Sequence, residues 1–101
     1  MSAKSKKPGS GTIVLAEALD ITQAAPLVSE LLKMRGSDIR VDASNVRKLG
    51  GQCLQALLCA STTWTHEGTR LELVNPSPEF TESLTAYGLD PDLFNSQEPA
   101  L

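Results

Sequence analysis

Three short runs of branched and aliphatic residues, Thr12–Ala16, Asp38–Asp42 and Arg70–Val74, alternate along the chain with stretches of helical periodicity. No other feature constrains the fold as strongly. Strands alternating with helices specify an α/β domain with a largely parallel central sheet, joined by right-handed crossovers. In such sheets the loops at the carboxyl ends of the strands carry function. The segment from Asp42 to Gln55, leaving the second strand and opening the next helix, is therefore the first place to look for a site.

The helices carry their own signals. Asp20 or Thr22 can cap the first one. Ala24, Leu27, Val28, Leu31 and Leu32 then recur at helical spacing and predict an apolar face. Pro26 belongs in the first turn, where a missing N–H is tolerated. Lys33 and Arg35 suit the carboxyl end, and Gly36 can supply a left-handed cap. Asn45 to Gly51 reads as a loop. The strongest helix runs from about Gly51 to His66. Leu54, Leu57, Leu58, Ser61 and Trp64, with Ala60 beside them, form its buried stripe. Gln52, Gln55, Cys59, Thr62 or Thr63, and His66 form a polar stripe facing away from the core. Gly68 breaks the chain. Ser77-Pro78-Glu79 reads as an N-cap, a first-position proline and a first-turn acid. Phe80, Leu84 and Tyr87 would line the last helix's inner face, and Gly88 would end it. Leu89, Leu93 and Phe94 add a last turn or a short closing segment.

At 101 residues the chain has room for one hydrophobic core. Its 41% hydrophobic and 21% charged residues match a packed globular domain. We expect a disordered basic head over residues 1–11, one domain over 12–94 and a flexible tail over 95–101. The head lacks the apolar run of a signal peptide, and no stretch approaches a membrane span, so the expected location is cytoplasmic. Net charge is −3, and setting aside Lys4, Lys6 and Lys7 leaves about −6 for the domain. Nucleic-acid binders need a basic surface, which excludes that class. Cys53 and Cys59 fit neither a metal spacing nor a redox pair, and read as reduced, partly buried thiols.

A catalytic constellation is missing. The single histidine, His66, has no Cys, Asp or second His at ligand spacing and reads as a solvated residue. No phosphate-cradling motif is present. Gly50-Gly51 could offer free N–H groups to an anion. The preferred reading is a tight turn that lets the loop pack close to the sheet. Glu17, Asp20 and Glu72 have no spacing that pairs them for acid–base work. Asp42 differs, because it ends an apolar strand and can hydrogen-bond the backbone of the loop that follows. No catalytic residue, metal site, cofactor or small-molecule ligand is predicted, and the chain is not expected to be an enzyme.

Residues 39–58, Ile-Arg-Val-Asp-Ala-Ser-Asn-Val-Arg-Lys-Leu-Gly-Gly-Gln-Cys-Leu-Gln-Ala-Leu-Leu, resemble the signature region of STAS domains, the anti-sigma-factor-antagonist family. There a strand ends in Asp, and an Asp-Ser-Ser/Thr-Gly-Leu motif opens an apolar-striped helix. Asp42 matches the strand-terminal Asp, Leu54 the motif leucine, and Leu57-Leu58 the helix core. A weaker resemblance extends from Leu19 to Phe94. It implies a STAS-like fold, with a mixed, mostly parallel sheet of about four strands and helices packed on it. In place of Asp-Ser-Ser/Thr-Gly this chain has Gly50-Gly51-Gln52-Cys53, so the phosphoserine position is Gln52, which has no hydroxyl to modify. Ser44 lies nearby but is not the matching residue.

The wording Leu-Gly-Gly-Gln-Cys-Leu-Gln-Ala-Leu-Leu resembles the small stand-alone STAS proteins of bacterial chemotaxis clusters. That resemblance implies a protein-binding module that docks on a chemotaxis histidine kinase and modulates phosphoryl flow to or from a response regulator. The expected partner-binding residues are Asn45, Arg47, Lys48, Gly50, Gly51, Gln52, Gln55 and Cys59, with Asp42 ordering the loop. The alternatives are an anti-sigma-factor antagonist and a structural STAS subunit of a transport ATPase. None of the three requires nucleic acid or membrane insertion.

Overall fold

Ile39 and Val41 are buried while Arg40 between them is exposed, the alternation of a strand with one covered face. In the computed structural model, which describes residues 11–95, this strand is the centre of the sheet. The elements are β1 (Gly11–Val14), β2 (Ala18–Leu19), α1 (Ala24–Lys33), β3 (Ile39–Asp42), β4 (Lys48–Leu49), α2 (Gly51–His66), β5 (Leu71–Val74) and α3 (Pro78–Ala86). A 3-10 turn over Ile21–Gln23 precedes α1.

β1, β3 and β5 form a parallel sheet in the order β1-β3-β5, with Ile13, Val41 and Leu73 in register. These three are buried, whereas Thr12, Arg40 and Glu72 on the other face are exposed. Arg40 and Glu72, paired across the strands, form an exposed ion pair at 3.5 Å. The covered face packs against Leu27 and Leu31 of α1, the α2 stripe, and Phe80 and Leu84 of α3. The fold is thus the α/β arrangement that the alternation implies.

Local chemistry explains the element ends. The bounds of α2 are those its periodicity predicts. Ser77 caps α3 by accepting a hydrogen bond from the Phe80 N–H at 3.0 Å. Gly36 and Gly88 adopt φ of 89° and 83°, the left-handed region that ends a helix cheaply only at glycine. Asp20 caps the 3-10 turn through the Thr22 N–H rather than α1 itself.

Several expectations need correction. The first strand stops at Val14 rather than Ala16. Leu15 keeps one ladder bond, its N–H donating to the Asp42 carbonyl, before the chain turns away. The segment from Asn45 to Gly51 is not all loop, because Lys48–Leu49 pairs in parallel with Ala18–Leu19 as a second, two-stranded sheet. Val28 and Leu32 are exposed, at 41% and 61%, not buried. Only the Leu27–Leu31 row of α1 faces the sheet, and the next row lies about 100° around the helix. Tyr87 is 49% exposed, and its hydroxyl reaches the Leu49 carbonyl at 3.4 Å. Leu58 is half-buried. The two thiols are not alike: Cys53 is buried and Cys59 exposed.

Gly11 pairs with Ile39, and the Asn95 side chain bonds β5, so both lie within ordered structure. The rest of the expected head and tail falls outside the described residues.

Candidate functional site

The loop after β3 is held at nearly every step. Asp42 Oδ1 accepts from the Ser44 N–H at 2.9 Å. Hydrogen bonds from the Ser44 side chain and backbone, and from the Asn75 side chain, hold the Asp42 carboxyl below its ordinary range. Ala43 and Val46 are fully buried anchors. The Ala43 carbonyl accepts from Ser77 N–H at 3.1 Å, and the Ser77 hydroxyl donates to the Val46 carbonyl at 2.5 Å. The Arg47 and Lys48 N–H groups both donate to the Glu17 carbonyl, at 2.8 and 3.1 Å.

Gly50 closes the segment. Its N–H donates to the Leu19 carbonyl at 2.8 Å, and a Cβ placed there would lie 2.9 Å from the same oxygen. The geometry is that of a close backbone approach. α2 then begins at Gly51 with no side-chain cap. Cys53, one turn in, points inward, its thiol 3.4 Å from the Asp20 carbonyl. Burial, with the nearby Asp20 charge, pushes that thiol up from its ordinary pKa, so it stays protonated and inert.

This anchoring leaves Asn45, Arg47 and Lys48 exposed on the loop, and Gln52, Gln55 and Cys59 exposed on α2. The two sets divide. Gln52 and Gln55 line a shallow, open cavity of about 520 Å³ together with Ala25, Val28, Leu32 and Ala56. Cys59 lines a neighbouring cavity of about 240 Å³ that shares Val28, Leu32 and Ala56. The two form one groove between α1 and α2. Its far end carries Arg35, whose Nε and Nη2 both donate to Glu67 Oε2, at 3.0 and 2.6 Å. That pairing lowers the Glu67 carboxyl and raises the Arg35 guanidinium relative to their ordinary values. Asn45, Arg47 and Lys48 do not line the groove.

Sequence reasoning misses one wall. Periodicity places Val28 and Leu32 in the core, yet they are the apolar side of the groove. The signal that could have found them is width: five apolar positions on α1 form two rows, and one row suffices to face a sheet.

Chemically the groove offers two side-chain amides, a thiol and exposed aliphatic surface. Among the described residues no group of three or more His, Cys, Asp or Glu could hold a metal ion, and no helix is long and apolar enough to cross a membrane. A surface of this chemistry can bury its aliphatic wall and satisfy its amides against another protein.

No curated protein and no solved structure matches the chain significantly. A family model described as "Mlab, STAS domain" matches residues 2–94. STAS domains are generally non-catalytic protein-interaction modules, and with nearly its whole length matched, this chain belongs to the STAS-domain family.

Proposed function

We propose that the chain is a non-enzymatic cytoplasmic docking module that binds a histidine kinase of the chemotaxis type and modulates phosphoryl flow to or from its response regulator. The observation that carries this reading is the ordered α2 start, where the family's phosphoserine position is an exposed Gln52 beside an exposed aliphatic wall. A glutamine cannot receive a phosphoryl group, so the surface is constitutive and on–off control rests with the partner. The wording from Leu49 to Leu58 supports the choice of partner class.

In this reading Gln52, Gln55 and Cys59 contact the partner through the groove, with Val28 and Leu32 as the apolar anchors. Asn45, Arg47 and Lys48 form a polar and basic rim that meets acidic partner residues and speeds encounter. Gly50 lets the segment that carries the rim pack against the Leu19 backbone, Gly51 opens the helix beside it, and Asp42 orders the loop.

The test is affinity capture from the native cell followed by identification of the bound proteins. Recovery of a chemotaxis-type kinase supports the proposal. Recovery instead of a sigma-factor-regulating kinase or of a membrane transport ATPase overturns it in favour of the corresponding alternative. Replacing Arg47, Gln52 and Gln55 together by alanine should weaken kinase capture, and unchanged capture rejects this placement of the interface.

A further inference from the structure

The two walls of the groove between α1 and α2 are matched in spacing. Its cavities set Ala24 and Ala25 against Gln52 at one end, and Arg35 against Thr63 and Trp64 at the other, so the two helices run parallel. On α1 the wall is Ala25, Val28 and Leu32, in steps of three and four residues. On α2 it is Gln52, Ala56, Cys59 and Thr63, in steps of four, three and four. Rows stepped in this way are those between which a further helix seats its side chains as knobs. The alanines at 25, 56 and 60 leave room there for leucine-sized knobs.

The walls select the occupant. Both are helices whose backbone groups bond within the helix, so the groove offers no free edge of N–H and C=O groups. An extended segment laid along it would leave its own backbone unpaired against aliphatic surface, whereas a helix satisfies its own. Among the described residues the only charged side chain lining either cavity is Arg35, already held by Glu67, so the face that enters the groove is uncharged. This chain has no candidate for that helix. Residues 1–10 hold no branched aliphatic residue, and residues 96–101 hold one, Leu101. A second copy carries its exposed aliphatic pair, Val28 and Leu32, in the wall of its own groove, and so would set groove against groove. A strip as long as the ten residues of α1, about 15 Å, and two helices wide spans on the order of 300 Å², against the roughly 800 Å² that each partner of a stable dimer buries.

We propose that the α1–α2 groove receives one amphipathic helix of a partner protein, about three turns long, with leucine-sized aliphatic residues at three- and four-residue spacing and no charge on the face that docks. This helix is the partner's surface in the docking reading above and rests on that reading. Val28 and Leu32 pack against its aliphatic knobs, and Gln52 and Gln55 bond polar groups on its flank. So small a contact makes a transient complex, suited to a module that engages and releases its partner.

The experiment is photo-cross-linking of the full chain in native cell extract. Benzophenone maleimide is placed on the exposed Cys59 thiol, or on Gln52→Cys with Cys59→Ser, and the joined residues are identified by mass spectrometry. Cys53 is buried and stays unlabelled. Positions 52 and 59 stand about 10.5 Å apart along α2. Against a partner helix the two cross-links should fall about seven residues apart in one segment, and against an extended segment about three apart. The seven-residue separation supports the proposal. A separation of about three, cross-links to a second copy of this chain, or no cross-link from either position overturns it. The two readings fail separately. A seven-residue pattern in a protein that is not a kinase keeps the docked helix and rejects the partner class, whereas a captured kinase cross-linked from neither position keeps the class and rejects the docked helix. Should either labelled chain lose the native far-UV spectrum, Gln55→Cys and Thr62→Cys, both exposed and again seven apart, take their place with the same outcomes.

Discussion

Adding one methyl group at Gly50 and one at Gly51 should have opposite effects on stability. Gly50 sits at φ −84° and ψ 162°, extended backbone open to any residue, so alanine there meets no conformational penalty. Its obstacle is space. The new Cβ would stand 2.9 Å from the Leu19 carbonyl oxygen and 3.7 Å from Asp20 Cα, both backbone atoms that no rotamer change can move. Relief requires β2 and β4 to separate, which lengthens the Gly50 N–H to Leu19 bond and the Cys53 thiol contact to Asp20. Overpacking of this kind costs roughly 1–3 kcal/mol, and a weakened backbone bond adds about 1. A total of about 2–4 kcal/mol lowers the Tm of a domain this size by roughly 10–30 °C. At Gly51 the nearest atom to a new Cβ is the Tyr87 hydroxyl, at 3.8 Å, an ordinary contact. Gly51 is also helical, so alanine stabilises by up to about 1 kcal/mol through the unfolded chain. Urea unfolding followed by Trp64 fluorescence reads both, since Trp64 is 3% exposed and its Nε1–H donates to the Ser37 carbonyl at 2.6 Å. The reasoning fails if Gly50→Ala unfolds within about 0.5 kcal/mol of the wild type, or if the two substitutions destabilise equally.

Ser77→Ala should destabilise by about 2–4 kcal/mol in the same assay, because it removes the α3 cap and strands the buried Val46 carbonyl. Ser77→Asp, which keeps the cap acceptor but has no donor, should recover little of that loss; full recovery would show that the Val46 bond contributes nothing. Leu32→Lys should leave stability within about 0.5 kcal/mol, since the residue is 61% exposed, yet weaken partner binding tenfold or more by calorimetry. Acid should destabilise the domain through Asp42, Asp20 and Glu67. All three carboxyls are held below their ordinary values in the folded state, so their stabilisation is full above the unfolded pKa near 4 and fades as pH falls below it. The urea midpoint should therefore drop below pH 4, and Asp42→Asn should flatten part of that drop.

What the sequence makes legible is what side chains encode in order. Ser77-Pro78-Glu79 gives a helix start in three letters, and the α2 stripe gives sixteen residues of helix with both ends placed. β2 and β4 are invisible for the opposite reason. Each has two residues, and their pairing rests on the Glu17 and Leu19 carbonyls meeting loop amides, a bond set that any residues could supply. The Asn95 contact is invisible because its partner is the Leu73 backbone, twenty-two residues away. The groove is the instructive case. Periodicity finds an apolar helix face but cannot say which of two adjacent rows meets the sheet. In α1 the Leu27–Leu31 row is buried in the core, and Val28 and Leu32 stay 41% and 61% exposed. Leaving two branched side chains so exposed beside Ala56 and two glutamines forgoes only part of the roughly 1.5–3 kcal/mol that full burial of each would contribute. The surplus row is the surface that the proposed partner would cover. Extra apolar width on a helix, measured against the sheet area that the strand lengths allow, marks the exposed row from residue order alone.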